Sequence, residues 1–233
     1  MTGQVRDEQN RRSQTVGVIF TKDDLRRAVR MRNPPDLFEL RLDHLPGKRD
    51  ELEGAIRILR APAIIAARHP SEGGANHLSA RDRNTLLLEF LPYAAYVDVE
   101  LRSAHRFETV LEQSRANNVK IIISYHDLND TPGRDRLDEI SRRARSYKAD
   151  ILKMATRTDN HAQLTRLREF FLRERIKMNI AAMGIGRLGR LSRIEFARQG
   201  SALNYAHIGR PRLEGQLSVA DLRRILGKML HLL

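Results

Sequence analysis

The sequence predicts a (β/α)8 barrel, and three observations carry that prediction. Eight short apolar runs recur along the chain, and a helical pattern follows each. Spread over 233 residues, this rhythm amounts to about 29 residues per unit, and the whole is near the ~250 residues usual for such a barrel. A doubly wound open sheet is the main rival, but it normally carries a Gly-rich phosphate loop after its first strand, and VGVIFTKDDL has none.

In chain order the strand-like runs are VGVIF (16–20), DLFELRLD (36–43), AIIAARH (63–69), YVDVEL (96–101), KIIISYHD (120–127), ILKMAT (151–156), NIAAMG (179–184) and ALNYAHI (202–208). Amphipathic helical patterns occupy 21–32, 79–94, 104–118 and 218–233, among others. Thr21 ahead of Lys22-Asp23-Asp24, and Ser218 with Asp221 three residues on, are helix-start signals. Residues 1–15 are polar and are expected to form a disordered arm, leaving 16–233 as one barrel domain. There is no low-complexity stretch, interdomain linker or internal repeat beyond the βα rhythm.

Composition narrows the function classes. Cysteine is absent, which removes disulfides, thiolate metal sites and a cysteine nucleophile and fits a reducing compartment. No apolar run approaches the ~18 residues of a membrane span, and the first fifteen residues lack the apolar region of a secretory leader, so a soluble cytoplasmic protein with no membrane partner is expected. The net charge is +13, and 35 of the 42 basic residues are arginine. That charge raises nucleic acid as a partner. Against it, the arginines are spread over the chain, acids are mixed in at 166–177, and aromatics for base stacking are few. Segments 141–148 and 166–177 read as solvated helix faces, and steering of an anionic ligand is the next use of the charge.

Alternation along the strands sorts residues into two faces. In the second run Phe38, Leu40 and Leu42 must face the helices, so Glu39, Arg41 and Asp43 face the barrel interior. The same parity turns Arg68, Asp98, Glu100, Ser124, His126 and Lys153 inward. A purely structural barrel fills its interior with branched aliphatics, and burying so many charges is costly even when they pair. Most of them also fall near the C-terminal ends of their strands, where barrel enzymes carry their sites. A polar pocket with one lysine and one histidine is therefore expected.

Lys153 has two readings: a structural ion pair with Glu100 or Asp98, or an imine-forming nucleophile. Attack on a carbonyl needs the neutral amine, which a lysine with the ordinary pKa of about 10.4 supplies in only about 1 part in 2,500 at pH 7. Burial beside Arg41, Arg68 and Arg193 is the expected remedy. His126, on the inner face of the neighbouring strand, is suited to give and take protons near neutrality. The other histidines lie outside any metal-ligand spacing, so neither a metal nor a cofactor is expected.

These residues sit in segments that resemble the type I 3-dehydroquinate dehydratases, from about residue 16 to 230. The shared features are Glu39-Leu40-Arg41-Leu42-Asp43, Arg68 followed by Glu72-Gly73-Gly74, Ser124-Tyr125-His126-Asp127 with Thr131-Pro132, Lys153 in ILKMAT, Ser192-Arg193, Gly200-Ser201 and Gly215-Gln216. The resemblance implies that Lys153 forms an imine with the C3 ketone of 3-dehydroquinate. It implies that His126 moves the C2 proton and returns one to the departing C1 hydroxyl, with Glu72 orienting His126. Arg193 would bind the substrate carboxylate, Gln216 would lie on a closing loop, and Glu39, Arg41 and Arg68 would hold ring hydroxyls. Homodimers are common in the family. The chain differs from the family in a 183–193 segment two residues longer than usual. It also reads Arg212-Leu213-Glu214-Gly215-Gln216 where the family generally has Ser-Ala-Pro-Gly-Gln. Arg212 either joins Arg193 at the carboxylate or is a solvated residue, alone or paired with Glu214. Other functions left open are another lysine–imine lyase or aldolase and a basic nucleic-acid-binding barrel.

Overall fold

The computed structural model describes residues 13–45 and 49–230. Eight parallel strands alternate with eight principal helices: β1 Gln14–Ile19, α1 Lys22–Arg30, β2 Leu37–Arg41, α2 Arg49–Arg57, β3 Ala63–Ala66, α3 Ala80–Phe90, β4 Tyr96–Glu100 and α4 Glu108–Ala116. The second half follows with β5 Lys120–Asp127, α5 Arg134–Ser146, β6 Ile151–Arg157, α6 His161–Glu174, β7 Asn179–Ile185, α7 Gly189–Arg198, β8 Leu203–His207 and α8 Val219–Leu230. The ladder runs β7-β6-β5-β4-β3-β2-β1-β8. Its two ends meet where the Ala202 N–H donates to the Ile180 carbonyl at 2.8 Å and Ser201 Oγ accepts the Ala182 N–H at 3.2 Å, bringing the sheet close to a closed barrel.

Strand parity produces two apolar layers. Phe38, Leu40, Ile65, Val97, Ile123 and Met154 pack outward against the helices. Val16, Leu37, Ile64, Ile122, Ile151 and Leu203 fill the interior. This interior floor occupies the N-terminal half of the barrel, so the charged inward residues are confined to the C-terminal half. The helix-start signals at Thr21 and Ser218 are both used: Thr21 forms a reciprocal capping box with Asp24, and Ser218 Oγ accepts the Asp221 N–H at 3.0 Å.

Several boundaries differ from the sequence reading, each for a physical reason. Gln14 and Thr15, expected in the polar arm, open β1. The Gln14 N–H bonds to the Ala202 carbonyl at 3.0 Å, while the Thr15 N–H and hydroxyl both donate to Asp36 at 2.7 Å. The remainder of the expected arm, residues 1–12, lies outside the described residues, as do 231–233 of the last helix. The 79–94 helix ends its α-helical part at Phe90, because Pro92 has no N–H to continue it, and Leu91–Tyr93 form a 3-10 turn. The ladders of β2 and β3 stop at Arg41 and Ala66, before Asp43 and Arg68.

Not all the arginines face solvent alone. Glu174, buried in α6, accepts hydrogen bonds from Ser141 at 2.5 Å, Arg145 at 2.6 Å and Lys177 at 2.7 Å. With Arg173 to Asp138 at 2.5 Å, these bonds clasp α5 to α6. The 141–148 and 166–177 segments thus serve helix packing as well as solvation.

Candidate active site

The C-terminal mouth of the barrel opens onto a cavity of about 290 Å³. Lys153, Glu39, Arg41, Arg68, Glu72, His126, Arg193, Arg212 and Gln216 all line it. β6 delivers Lys153 inward because Leu152 and Met154 on either side are fully buried against the helices. Its Nζ donates to Glu39 Oε1 at 2.6 Å and Asp98 Oδ2 at 2.8 Å and lies 3.9 Å from the centre of the Tyr205 ring. The nearest partners are therefore acidic: Asp98 is one of the two ion-pair partners weighed from the sequence, Glu39 was not foreseen in that role, and Arg41, Arg68 and Arg193 line the same cavity. Arg68 Nη2 stands 3.8 Å from both Glu39 and Asp98, an ion-pair distance without a hydrogen bond. Glu100, weighed as a partner of Lys153, instead pairs with Arg83 of α3 at 2.9 Å and does not line the cavity.

One strand over, β5 presents His126. Its Nδ1 is 2.8 Å from Glu72 Oε2, while its buried Nε2 has no hydrogen-bond partner. Burial, then Glu100, lifts the Glu72 carboxyl to about 8. Burial, then Arg68, Lys153 and Arg41, holds the His126 imidazole well below its ordinary 6.5. The two environments push acid and base toward each other's range, an arrangement in which a small change moves a proton. Glu72 is carried by a tight turn, Pro70–Glu72, closed by the Glu72 and Gly74 N–H groups on the His69 carbonyl at 2.9 and 3.0 Å.

Two arginines are set differently. Arg41 is held in a bidentate pair with Asp43 at 3.0 and 2.8 Å and also donates to the Gly73 carbonyl at 3.0 Å. Asp43 in turn accepts the Ala75 N–H at 3.0 Å, tying the Glu72 loop to the end of β2. Arg193 is buried, donates one bond to the Tyr205 carbonyl at 3.1 Å, and leaves its Nε without a partner. Burial brings its pKa down to about 10. A buried guanidinium with so little compensation is costly, and its planar donors match a carboxylate.

The loop after β8 covers this side of the cavity. Its Arg212 N–H donates to Gln216 Oε1 at 3.0 Å, and the Arg212 guanidinium lies 5.5 Å from the Phe20 ring centre. Glu214 is 3.8 Å from Arg157, so the alternative Arg212–Glu214 pair is not made. Gly215, at φ +82°, packs so closely on α7 that a Cβ there would lie 2.6 Å from the Arg190 nitrogen.

Sequence reasoning missed Tyr205, Phe20 and His44, which also line the cavity. Parity along ALNYAHI would have turned Tyr205 inward with Leu203. Phe20 and His44 lie beyond the ladders, where alternation no longer speaks; their rings meet edge to face at 5.1 Å. Among the described residues no cluster of three or more His, Asp or Glu is arranged to hold a metal ion.

A family model described as type I 3-dehydroquinase matches residues 18–232. The chain is 31% identical over 216 residues to the 3-dehydroquinate dehydratase of Methanocella arvoryzae, covering 91% of this chain and 96% of the relative. It is 34% identical over 194 residues to that of Methanococcus maripaludis, covering 82% and 87%. Among solved structures, the type I 3-dehydroquinate dehydratase of Clostridium difficile is similar at a TM-score of 0.84 and 25% identity, covering 95% of this chain and 94% of that one. Its counterpart from Geobacillus kaustophilus gives 0.81 at 25% identity, covering 94% and 92%. Agreement that runs from the first strand to the last helix leads to one conclusion: this chain belongs to the type I 3-dehydroquinase family.

Proposed function

We propose that the chain is a hydro-lyase that converts 3-dehydroquinate to 3-dehydroshikimate and water, a step of the shikimate pathway, through an imine on Lys153. The observation that carries this reading is a buried lysine and a partner-free histidine nitrogen on one cavity, beside a buried guanidinium that lacks a carboxylate.

The Lys153 amine attacks the C3 carbonyl, and the carbinolamine loses water to form the imine. Its hydrogen bonds to Glu39 and Asp98 keep the side chain extended into the cavity and give the departing protons nearby acceptors. His126 Nε2 then removes the C2 proton. The electron pair is delocalised onto the imine nitrogen as an enamine. The pair returns to expel the C1 hydroxyl, which takes a proton from His126 and leaves as water. Hydrolysis of the conjugated imine releases 3-dehydroshikimate and restores Lys153. Arg193 and Gln216 hold the carboxylate side, while Arg41, Arg68 and Glu39 hold ring hydroxyls. The family resemblance adds a homodimer, which the molar mass in solution measured by light scattering checks directly.

A second reading, a related imine lyase with a shifted substrate, is favoured by Arg212 at the cavity mouth in place of the family's serine. Mixing the protein with 3-dehydroquinate and following ultraviolet absorbance separates the two. The growth of a conjugated enone band supports the dehydratase; its absence at high enzyme concentration contradicts it.

A further inference from the structure

Outside the cavity, the buried Arg83 is among the charged groups with no place in the steps above. Arg83 of α3 is 2% exposed, and it reaches between helix and barrel to Glu100 of β4. Its Nη1 donates to Glu100 Oε2 at 2.9 Å, both terminal nitrogens meet Ser103 Oγ at 3.3 Å, and the guanidinium lies 5.1 Å from the Phe107 ring centre. A buried ion pair of this kind adds little to stability, since apolar residues of similar volume often do as well or better. Its cost calls for another explanation.

The second oxygen of Glu100 supplies it. Glu100 Oε1 accepts the His69 backbone N–H, and the carbonyl of the same residue accepts the Glu72 and Gly74 N–H groups at 2.9 and 3.0 Å. Glu72 then meets His126 Nδ1 at 2.8 Å. A connected path of hydrogen bonds and one residue's backbone therefore runs from α3 through β4 and the turn after β3 to the imidazole on β5. Gly74 lies against the Arg68 and His69 backbone so tightly that no side chain fits, which leaves the turn little freedom.

We propose that Arg83 and Glu100 are a positioning pair for the Glu72–His126 dyad. Arg83 fixes the Glu100 carboxylate from the helix side, and Glu100 holds the turn that presents Glu72 and supplies a negative charge near it. This rests on the acid–base role given to His126 under the proposed function. The other charged groups around the dyad are Arg68 just after β3, Asp98 on β4 and Arg102 after it, with Lys153 and Arg41 facing His126, all untouched by the variants below.

The test is Glu100→Gln, read in two ways. Steady-state kinetics on the alkaline plateau, above the midpoint in both proteins, should show kcat lowered about tenfold with KM within about twofold, because the dyad acts in the chemical step rather than in binding. Nitrogen-15 NMR of the free protein, with His126→Asn to assign the ring, should show the midpoint of the His126–Glu72 titration moved to lower pH. A structural role alone moves neither. A folded Glu100→Gln protein with unchanged kcat and midpoint overturns the proposal. If that single variant does not fold, Arg83→Met with Glu100→Gln removes both charges together and faces the same two readouts. A wild type without dehydratase activity whose midpoint still moves in the variant keeps the positioning pair and discards the substrate reading. An active wild type with neither readout moved does the reverse.

Discussion

At the scale of single residues, the dyad and the arginines make separable demands. With Glu72 held up to about 8 and His126 held low, the dyad at pH 7 carries its proton on the carboxyl side. Ionisation of Glu72 leaves Nδ1–H bonded to the carboxylate and the Nε2 lone pair facing the cavity. The base form thus grows as pH rises, so kcat/KM should rise through an apparent pKa near 8 that belongs to the pair. In Glu72→Gln that limb should vanish, while His126→Ala should lower kcat by at least ~100-fold at every pH. A pH–rate profile of the three proteins checks this; an unchanged limb in Glu72→Gln contradicts the assignment. Arg212 poses a different question. Both Arg41 and Arg212 lie near the Phe20 ring, at 5.1 and 5.5 Å, which aims Arg212 at the cavity rather than at Glu214. A charge-assisted contact to the carboxylate is worth roughly 1.5–3 kcal/mol, about 10- to 150-fold in affinity. Arg212→Ser should then raise KM by about tenfold or more and leave kcat nearly unchanged, since ground and transition states bind the carboxylate alike. A KM within about twofold of wild type returns Arg212 to the solvated surface.

At the scale of elements, the α5–α6 clasp on Glu174 is the clearest energetic feature away from the site. Burial alone would raise the Glu174 carboxyl, but hydrogen bonds from Lys177, Ser141 and Arg145 bring it down to about 2. A folded-state value below the unfolded one contributes stability that is present above about 4.5 and is lost as pH falls toward 2. Lys177 and Arg145 are themselves partly solvated, so the contribution is roughly 1–2 kcal/mol and not the full shift. Glu174→Gln should lower Tm at pH 7, and the gap should close between pH 4.5 and 2. Thermal unfolding at several pH values measures it; a gap independent of pH would point to packing instead. The same elements show where alternation is a reliable guide. It placed Glu39, Arg41, His126 and Lys153 inward without any family knowledge, because one face of each strand had to be apolar for the helices. It could not say that Glu100 turns to Arg83, since that partner lies on a helix far away in sequence. Nor could it foresee Phe20, His44 or the exact grip of Asp43 on the Glu72 loop, which lie past the strand ends and depend on how loops pack.

For the whole molecule, the (β/α)8 rhythm was legible because eight units of similar length repeat and no phosphate loop competes. Strand ends were less so, because hydrogen bonds such as Thr15 to Asp36 outweigh the polar character of residues 13–15. The net charge of +13 is a property of the entire chain, and an anionic substrate approaching it should be steered. Then kcat/KM should fall as ionic strength rises from about 0.01 to 0.15 M, while kcat holds steady, because screening acts on encounter and not on the enclosed chemistry. Kinetics in an inert salt series decide it; a flat kcat/KM would assign the charge to solubility alone.

Borohydride trapping shows whether Lys153 is the nucleophile. Protein incubated with 3-dehydroquinate or 3-dehydroshikimate and reduced with borohydride should gain one ligand per chain, fixed as a secondary amine. Peptide mass mapping should find it on Lys153 within Ile151–Arg157, and Lys153→Ala should gain none. Turnover without any adduct, or an adduct on another lysine, would rule out Lys153 as the nucleophile.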